Sequence, residues 1–488
     1  MSNEDFATEI ASVIEANIKN RTYPYGAPLP SERELSEKFS TNRNIIRIAI
    51  EKLIDKGLVK RFHGKGTFVM KTDIDDSSIH FKGMTELLQE TGYEPSSKVL
   101  KTQTRNAGYK FSKIFHMDED KKIFQIIRLR KGNDVPISIE NTYIPFDSIR
   151  NIEEIDFQVY SLYDMLTINH IKIHDIRHVF SATKVQNSLA KLLACPDGAP
   201  VISIEITSST KAGSIAEFTE VMVAPGLCKI LYRRRYPKWR ISSDFSNHLK
   251  RKVTLMPKVY NLLSLDIAEF LQQYIEEKKL MPGDKLPSER ELAITLSVTR
   301  TTLRHGLEIL VGKGIIYRVH GSGYYICKPK VNREFTHYCF PCQDSLLMER
   351  EYNVLPIEYI PTSLAQIAQN LFSPLTLSEL RSISYVELVD DIPISLMYTF
   401  QDSESEHLLP DLPFSKTLPE DTYFTQTIRV FPESFGENES LIELLNLTAD
   451  DSLLLISTFI HHAERIHALC LSICVGARVN LISDVKLP

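Results

Sequence analysis

At 488 residues the chain is longer than one domain usually runs, and roughly 150 residues per domain predicts three or four. Apolar content of 43% and charged content of 24% suit a soluble globular protein, and no apolar run reaches the ~18 residues of a membrane span. The net charge of −5 gives no global sign of a nucleic-acid partner, but a DNA-binding module needs only one basic face. From Arg33 to Lys65 about nine Lys and Arg stand against about four Asp and Glu. Seven cysteines without regular spacing argue against a disulfide framework. With an N-terminus that lacks a signal-peptide layout, they lead us to expect a cytoplasmic protein.

The first predicted element is a helix with Ile10, Ile14 and Ile18 on one stripe. The stretch LPSEREL, Leu29 to Leu35, opens a second helix. Ser31 is a strong N-cap and Glu34 completes a capping box. A third helix starts after Asn42, a capping residue, and buries Ile46, Ala49, Ile50 and Leu53. Arg43 and Arg47 lie four apart on its opposite face. GLVKRFHGKGTFV, Gly57 to Val69, then reads as a two-stranded hairpin with a glycine turn.

A segment of another type follows, over 79–240. FKGMTELLQETG reads as a short helix ending at Gly92. Strands are predicted at Lys98–Arg105, Ile123–Lys131, Val135–Ile144, Ile173–Thr183, Pro200–Ser208 and Ser214–Val223, with helices near Val159–Leu166 and Val185–Leu193. This pattern implies an α+β domain on an antiparallel sheet. Arg128 and Arg130 share one face of a strand, Glu140 lies on the next and Glu217 on the last. Converging on one sheet, they would clamp a ligand bearing an anionic group and hydroxyls. The alternative is a set of exposed cross-strand salt bridges of little energetic weight. Residues 241–258 are polar and basic and read as a linker.

LPSEREL then recurs, letter for letter, at Leu286 to Leu292. Gly283–Ile326 aligns without a gap on Gly26–Val69, with about 19 of 44 positions identical. Ile267, Leu271 and Ile275 repeat the stripe; Ser288 and Glu291 repeat the capping box; Thr299, Arg300 and Arg304 repeat the third helix. Three short helices and a hairpin make a winged helix-turn-helix, whose third helix enters the major groove by its N-terminal end. Arg43 and Arg300 are candidates for bidentate contact to guanine. Arg33, Arg47, Arg290 and Arg304 would hold phosphates or bases. His63-Gly64 and His320-Gly321 would bring each wing tip close to the DNA backbone or minor groove. Asn42, Asn44, Lys65, Thr299 and Thr301 complete the DNA-facing set. Two exposed arginines on a helix are usually only solvated; the capped start, the basic hairpin and the duplication favour DNA.

Leu29–Val69 and its copy closely resemble the DNA-binding domain of GntR-family bacterial transcription regulators. VTRTTLR, Val298–Arg304, is nearer the family pattern than TNRNIIR, Thr41–Arg47, which has asparagine at 42 and 44 where threonine is usual. The resemblance implies operator contact by Arg33, Arg43, Arg47, His63 and Gly64 and by Arg290, Arg300, Arg304, His320 and Gly321. The segment IIRLRKGNDVPISIENTYIP resembles the UTRA effector-binding domain of the HutC subgroup, a fold similar to chorismate lyase. It implies that Arg128, Arg130, Glu140 and Glu217 face a small effector, with Thr85 near its acidic group. The arginine pair leans towards a phosphate or carboxylate.

The last segment, 329–488, carries DIPIS, Asp391–Ser395, 257 positions after DVPIS, Asp134–Ser138. Where the first copy has Arg128, Arg130 and Glu140, it has Tyr385, Glu387 and Met397, so we expect a degenerate UTRA-like domain without the clamp. The expected architecture is therefore two winged helix-turn-helix domains, 1–72 and 259–328, each followed by an antiparallel-sheet domain. The expected partners are operator DNA and an anionic metabolite, with no cofactor and no membrane, in a covalent pseudo-dimer or a homodimer. Rival signals are weaker. Cys339 and Cys342 form a C-x-x-C, and Cys470 and Cys474 lie near His461, His462 and His467, a set that would suit zinc or thiol sensing. No glycine-rich phosphate loop or cofactor lysine points to an enzyme.

Overall fold

The computed structural model describes residues 3–20, 22–23, 28–56, 58–62, 66–69, 93–158, 160–225, 230–233, 262–334, 350–402, 422–431, 439–462 and 465–486. The chain divides into two compact units, Met1–Phe81 with Ser148–Lys172, and Lys82–Asp147 with Ile173–Leu487. In the first unit, helices Asn3–Lys19, Glu32–Lys38 and Arg43–Asp55 close on one core. Ile10, Ile14 and Ile18 meet Leu35, Ile46 and Leu53 there. Both predicted caps form. Ser31 and Glu34 exchange hydrogen bonds, and the Asn42 Oδ1 accepts from the Ile45 amide at 3.1 Å. Strands β1 (Val59–Phe62) and β2 (Gly66–Val69) pair antiparallel as the wing.

The second unit contains the second winged helix. Its helices Leu263–Glu277, Glu289–Thr295 and Arg300–Gly312 enclose Ile267, Leu271, Leu303 and Leu307. The hydroxyl of Thr299 accepts from the Thr302 amide. In chain order, the unit's strands before this winged helix are β3 (Pro95–Asn106), β4 (Lys122–Gly132), β5 (Val135–Pro145), β6 (Ile173–Val185), β7 (Ala199–Thr210), β8 (Ile215–Val223) and β9 (Ile230–Arg233). The second wing is β10 (Ile316–Val319) and β11 (Gly323–Ile326). After it come β12 (Val331–Glu334), β13 (Tyr352–Pro356), β14 (Arg381–Val389), β15 (Ile392–Gln401), β16 (Thr422–Val430), β17 (Leu453–His462), β18 (Arg465–Val475) and β19 (Val479–Lys486).

The six strands expected between residues 98 and 223 all form. Helices Leu162–Ile168 and Asn187–Leu192 fall where helical pattern is weak but present. The helix Gly108–Phe115 was not expected, because eight residues of mixed aromatic and basic character carry little period. Phe111 and Phe115 pack it against Ile123, Tyr143 and Phe218. The expected helix ending at Gly92 and the linker 241–258 lie outside the described residues.

The two halves of the chain exchange strands. The first sheet runs β12-β19-β6-β7-β8-β5-β4-β3 and the second β13-β14-β15-β18-β17-β16-β9. Each half's last strand, β9 or β19, completes the sheet of the other half. In the first sheet Leu481 sits opposite Phe180; in the second Ile230 sits opposite Ile428. The pairing satisfies the main-chain groups that β6 and β16 would otherwise expose as edges. The sheets also share one apolar core. Phe180, Ile202, Val221 and Val223 of the first meet Tyr385, Met397, Ile428 and Ile456 of the second. Alternation along a strand gives each sheet a second face. On the first sheet that face carries Ile127, Leu129, Ile139 and Met222, and it packs against Leu262 and Leu265 at the start of the second winged helix.

Candidate functional site

The third helix of each winged helix exposes its first residues to solvent. Arg43, Asn44 and Arg47 are exposed at the start of Arg43–Asp55, as are Arg300, Thr301 and Arg304 at the start of Arg300–Gly312. The capping residues Asn42 and Thr299 are exposed too, and so are Arg33 and Arg290 on the preceding helices. Arg33 is engaged by Glu37 at 3.2 Å, a pair open to solvent. Arg43 and Arg300 make no ion pair among the described residues, so both guanidiniums are available to a ligand. Arg47 and Arg304 are oriented instead. Glu32 takes Arg47 at 2.8 Å and Arg61 of β1 at 3.4 Å. Glu289 takes Arg304 at 2.8 Å and holds its guanidinium more firmly protonated than usual through hydrogen bond and charge. Sequence reasoning missed these two glutamates, although both stand in the repeated LPSEREL. On the second wing His320 is exposed and Gly321 has φ +73°, a conformation that suits glycine. His63, Gly64 and Lys65 lie outside the described residues.

Three of the five expected effector residues meet. Arg128 and Glu140 are direct cross-strand partners of β4 and β5. Glu140 accepts from Arg128 at 2.9 Å and from Arg130 at 3.1 Å. The cluster is not the exposed salt-bridge pattern held open as the alternative: Arg128 is only 4% and Glu140 only 6% exposed. Burial alone would raise the Glu140 carboxyl, but the charges of Arg130 and Arg128 outweigh it and hold its pKa below the ordinary value. Ser138, opposite Arg130, is fully buried, and its hydroxyl has no hydrogen-bond partner among the described residues. Glu217 does not join the cluster. Val221, not Glu217, is opposite Glu140 on β8, which leaves Glu217 four residues, ~13 Å, along the strand. It accepts from Ser208 at 2.9 Å. Thr85 lies outside the described residues.

The second half closes the corresponding position. Tyr385 and Met397, in place of Arg128 and Glu140, are fully buried in the core shared by the two sheets. Glu387, in place of Arg130, is buried with Arg333 of β12 at 2.6 Å and accepts from Tyr352 at 2.7 Å and from Ser395. A self-satisfied ion pair of opposite polarity thus fills the site, and Arg333 could not be found from the repeat because it lies outside the aligned strands. Cys339 and Cys342 lie outside the described residues. Cys470 and Cys474 are buried on β18, with Cys470 accepting from Thr399. No group of three or more His, Cys, Asp or Glu side chains among the described residues is placed to hold a metal.

The model for bacterial regulatory proteins of the gntR family matches residues 6–69 and again 263–326, and that for the UTRA domain matches residues 90–225. The transcriptional repressor NagR of Bacillus subtilis is 30% identical over 210 residues, which are 43% of this chain and 86% of NagR. The chain belongs to the GntR family. The histidine utilization repressor of Pseudomonas aeruginosa is 24% identical over 217 residues, covering 44% of this GntR protein and 86% of that relative. The crystal structure of PhnF from Mycobacterium smegmatis matches at 19% identity with a TM-score of 0.29, over 44% of this chain and 94% of that one. This GntR protein is a DNA-binding transcriptional regulator with a duplicated winged helix and two UTRA-like sheets. Among the described residues no helix is long and apolar enough to cross a membrane.

The second winged helix of this GntR protein is seated on the first sheet by a seam of charge. Lys101 of β3 meets Asp266 at 2.8 Å, and Arg105 meets Glu269. Tyr143 donates to Glu269 at 2.6 Å. Glu220 of β8, its side chain only 11% exposed, takes Lys313, just beyond the helix Arg300–Gly312, at 2.8 Å and Lys110 at 3.5 Å. Burial opposes the charge on Glu220, yet the two lysines bring its pKa down to about 2. Gly312 is needed for this seat, since a Cβ there would stand 2.6 Å from the Thr183 hydroxyl of β6. The first copy has Asp55 at that position.

Proposed function

We propose that this regulator is a repressor whose two winged helices read two half-sites of one operator from a single polypeptide. A small anionic metabolite bound in the first UTRA domain would release it. The observation that carries the reading is the reciprocal exchange of β9 and β19, which joins the two halves as the subunits of a dimer are joined. Covalent linkage makes the second half-site contact intramolecular and raises its effective concentration. That NagR and the histidine utilization relative are named repressors favours repression.

The effector's phosphate or carboxylate would compete with Glu140 for Arg128 and Arg130, and the Ser138 hydroxyl offers it a further donor. The same two strands carry Gln125, Asn141 and Tyr143 on the opposite face, where Tyr143 meets the second winged helix. A shift of β4 or β5 on effector binding would therefore reach the DNA-binding domain through one layer of sheet. By linkage, operator DNA weakens effector binding by the factor by which effector weakens DNA binding.

The test is operator binding by the parent and by a chain carrying Arg43→Ala and Arg300→Ala. Each lost guanine contact costs ~1–3 kcal/mol, so the double variant should bind at least tenfold more weakly at physiological ionic strength. Unchanged affinity defeats the reading. Light scattering of the complex with a short operator duplex separates one chain per operator from two.

A further inference from the structure

A cavity of about 340 Å³ lies between the first sheet and the second winged helix, on the face of the sheet opposite the Arg128–Glu140 cluster. Its size is at the lower end of the range for small-molecule sites. Ser181 of β6 and Ser203 and Glu205 of β7 line it from the sheet. Lys313, Cys327 and Lys330 line it from the winged helix and the segment leading to β12. These polar groups are not consumed by one another. Lys313 is balanced by Glu220. Lys330 donates to the Gly476 carbonyl at 2.7 Å and makes no ion pair among the described residues. Glu205 likewise makes none. An ammonium, a carboxylate and two hydroxyls thus line one half-open cavity. Glu205 attracts Lys330 and Lys313 without forming an ion pair with either, and a ligand bearing both an anionic group and hydroxyls can bond the whole set directly.

We infer that this cavity is a second ligand site, separate from the effector cluster, for a small hydroxylated anion. Its carboxylate or phosphate pairs with Lys330, and its hydroxyls meet Glu205, Ser181 and Ser203. Burial and the charge of Lys313 bring Lys330 down to about 8 while Glu205 opposes them, so an incoming anion also strengthens its protonated form. Because the cavity wall is shared between sheet and winged helix, occupancy fixes the seat of the second DNA-binding domain. That consequence rests on the DNA-binding reading; ligand binding itself does not, so the two fail separately.

The probes are gluconate and glycerol 3-phosphate, titrated by calorimetry into the full chain carrying Arg128→Ala, in which the cluster is silenced. At least one probe should bind, and adding Lys330→Gln should weaken it at least tenfold. On the unaltered chain, the same probe should slow alkylation of Cys327 by N-ethylmaleimide, read by peptide mass spectrometry, at least threefold; this holds even if Lys330→Gln fails to fold. The inference is overturned if neither probe binds the Arg128→Ala chain, if a folded Lys330→Gln chain binds as before, or if binding leaves Cys327 unprotected.

Discussion

Replacing Glu220 by Gln tests the seam on which the proposed coupling depends. Glu220 is the shared counter-ion of Lys110 and Lys313, which come from the UTRA domain and from the winged helix. The substitution keeps the shape and leaves two ammonium groups facing each other, one of them buried. Folding lowers the Glu220 pKa from 4.5 to about 2, which corresponds to ~3 kcal/mol at neutral pH. Breaking a buried pair typically costs 3–5 kcal/mol, a figure of the same size. Separation of the winged helix from the sheet relieves the repulsion, so the loss falls mainly on docking. A loss of ~3 kcal/mol raises the undocked population about a hundredfold. Amide hydrogen exchange of helices Leu263–Glu277 and Arg300–Gly312 reads this directly. The depressed pKa also fixes the sign of the pH dependence. The carboxylate's contribution is complete above pH 4.5 and is lost as pH falls towards 2, so the thermal midpoints of parent and variant should converge over that window. Exchange within threefold of the parent's in both helices, or midpoints that stay equally far apart at low pH, would refute the reasoning.

Gly312→Asp, which installs the first copy's residue, should undock the second winged helix through the 2.6 Å clash with Thr183 while leaving its own fold intact; protection restored by Thr183→Gly would identify the clash as the cause. Glu289→Gln releases Arg304 and removes a negative charge beside the proposed DNA-facing arginines. Non-specific DNA affinity should rise and the slope of log affinity against log salt should steepen by about one; an unchanged slope speaks against the orienting role. His178 on β6 is opposite Ser483 of the exchanged strand β19, and burial lowers its pKa from 6.5 to about 4. The neutral ring is favoured in the fold, so ~3 kcal/mol of stability is present above pH 6.5 and lost as pH falls to 4. His178→Gln should flatten the thermal midpoint over that window, and a profile identical to the parent's counts against it.

The sequence alone determined the local elements and the duplication. Capping boxes at Ser31 and Ser288, four-residue apolar stripes and the strand runs of residues 98–223 are short-range signals, each set by neighbours a few residues away. The same holds for the exposed arginines at the recognition-helix starts and for the pairing of Arg128 and Arg130 on one face of β4. Tertiary structure decided what lies far apart in the chain. Glu217 shares a face with Glu140, but the register of β8 against β5 holds it away, and register depends on packing over the whole sheet. Arg333 reaches Glu387, and Glu220 reaches Lys313, only because β12 and the second winged helix are placed on the first sheet. The exchange of β9 and β19 left no mark in local pattern, since an edge strand reads alike whichever sheet it joins. Its destination is set by the apolar face that Leu481 and Val479 bury in the core common to both halves.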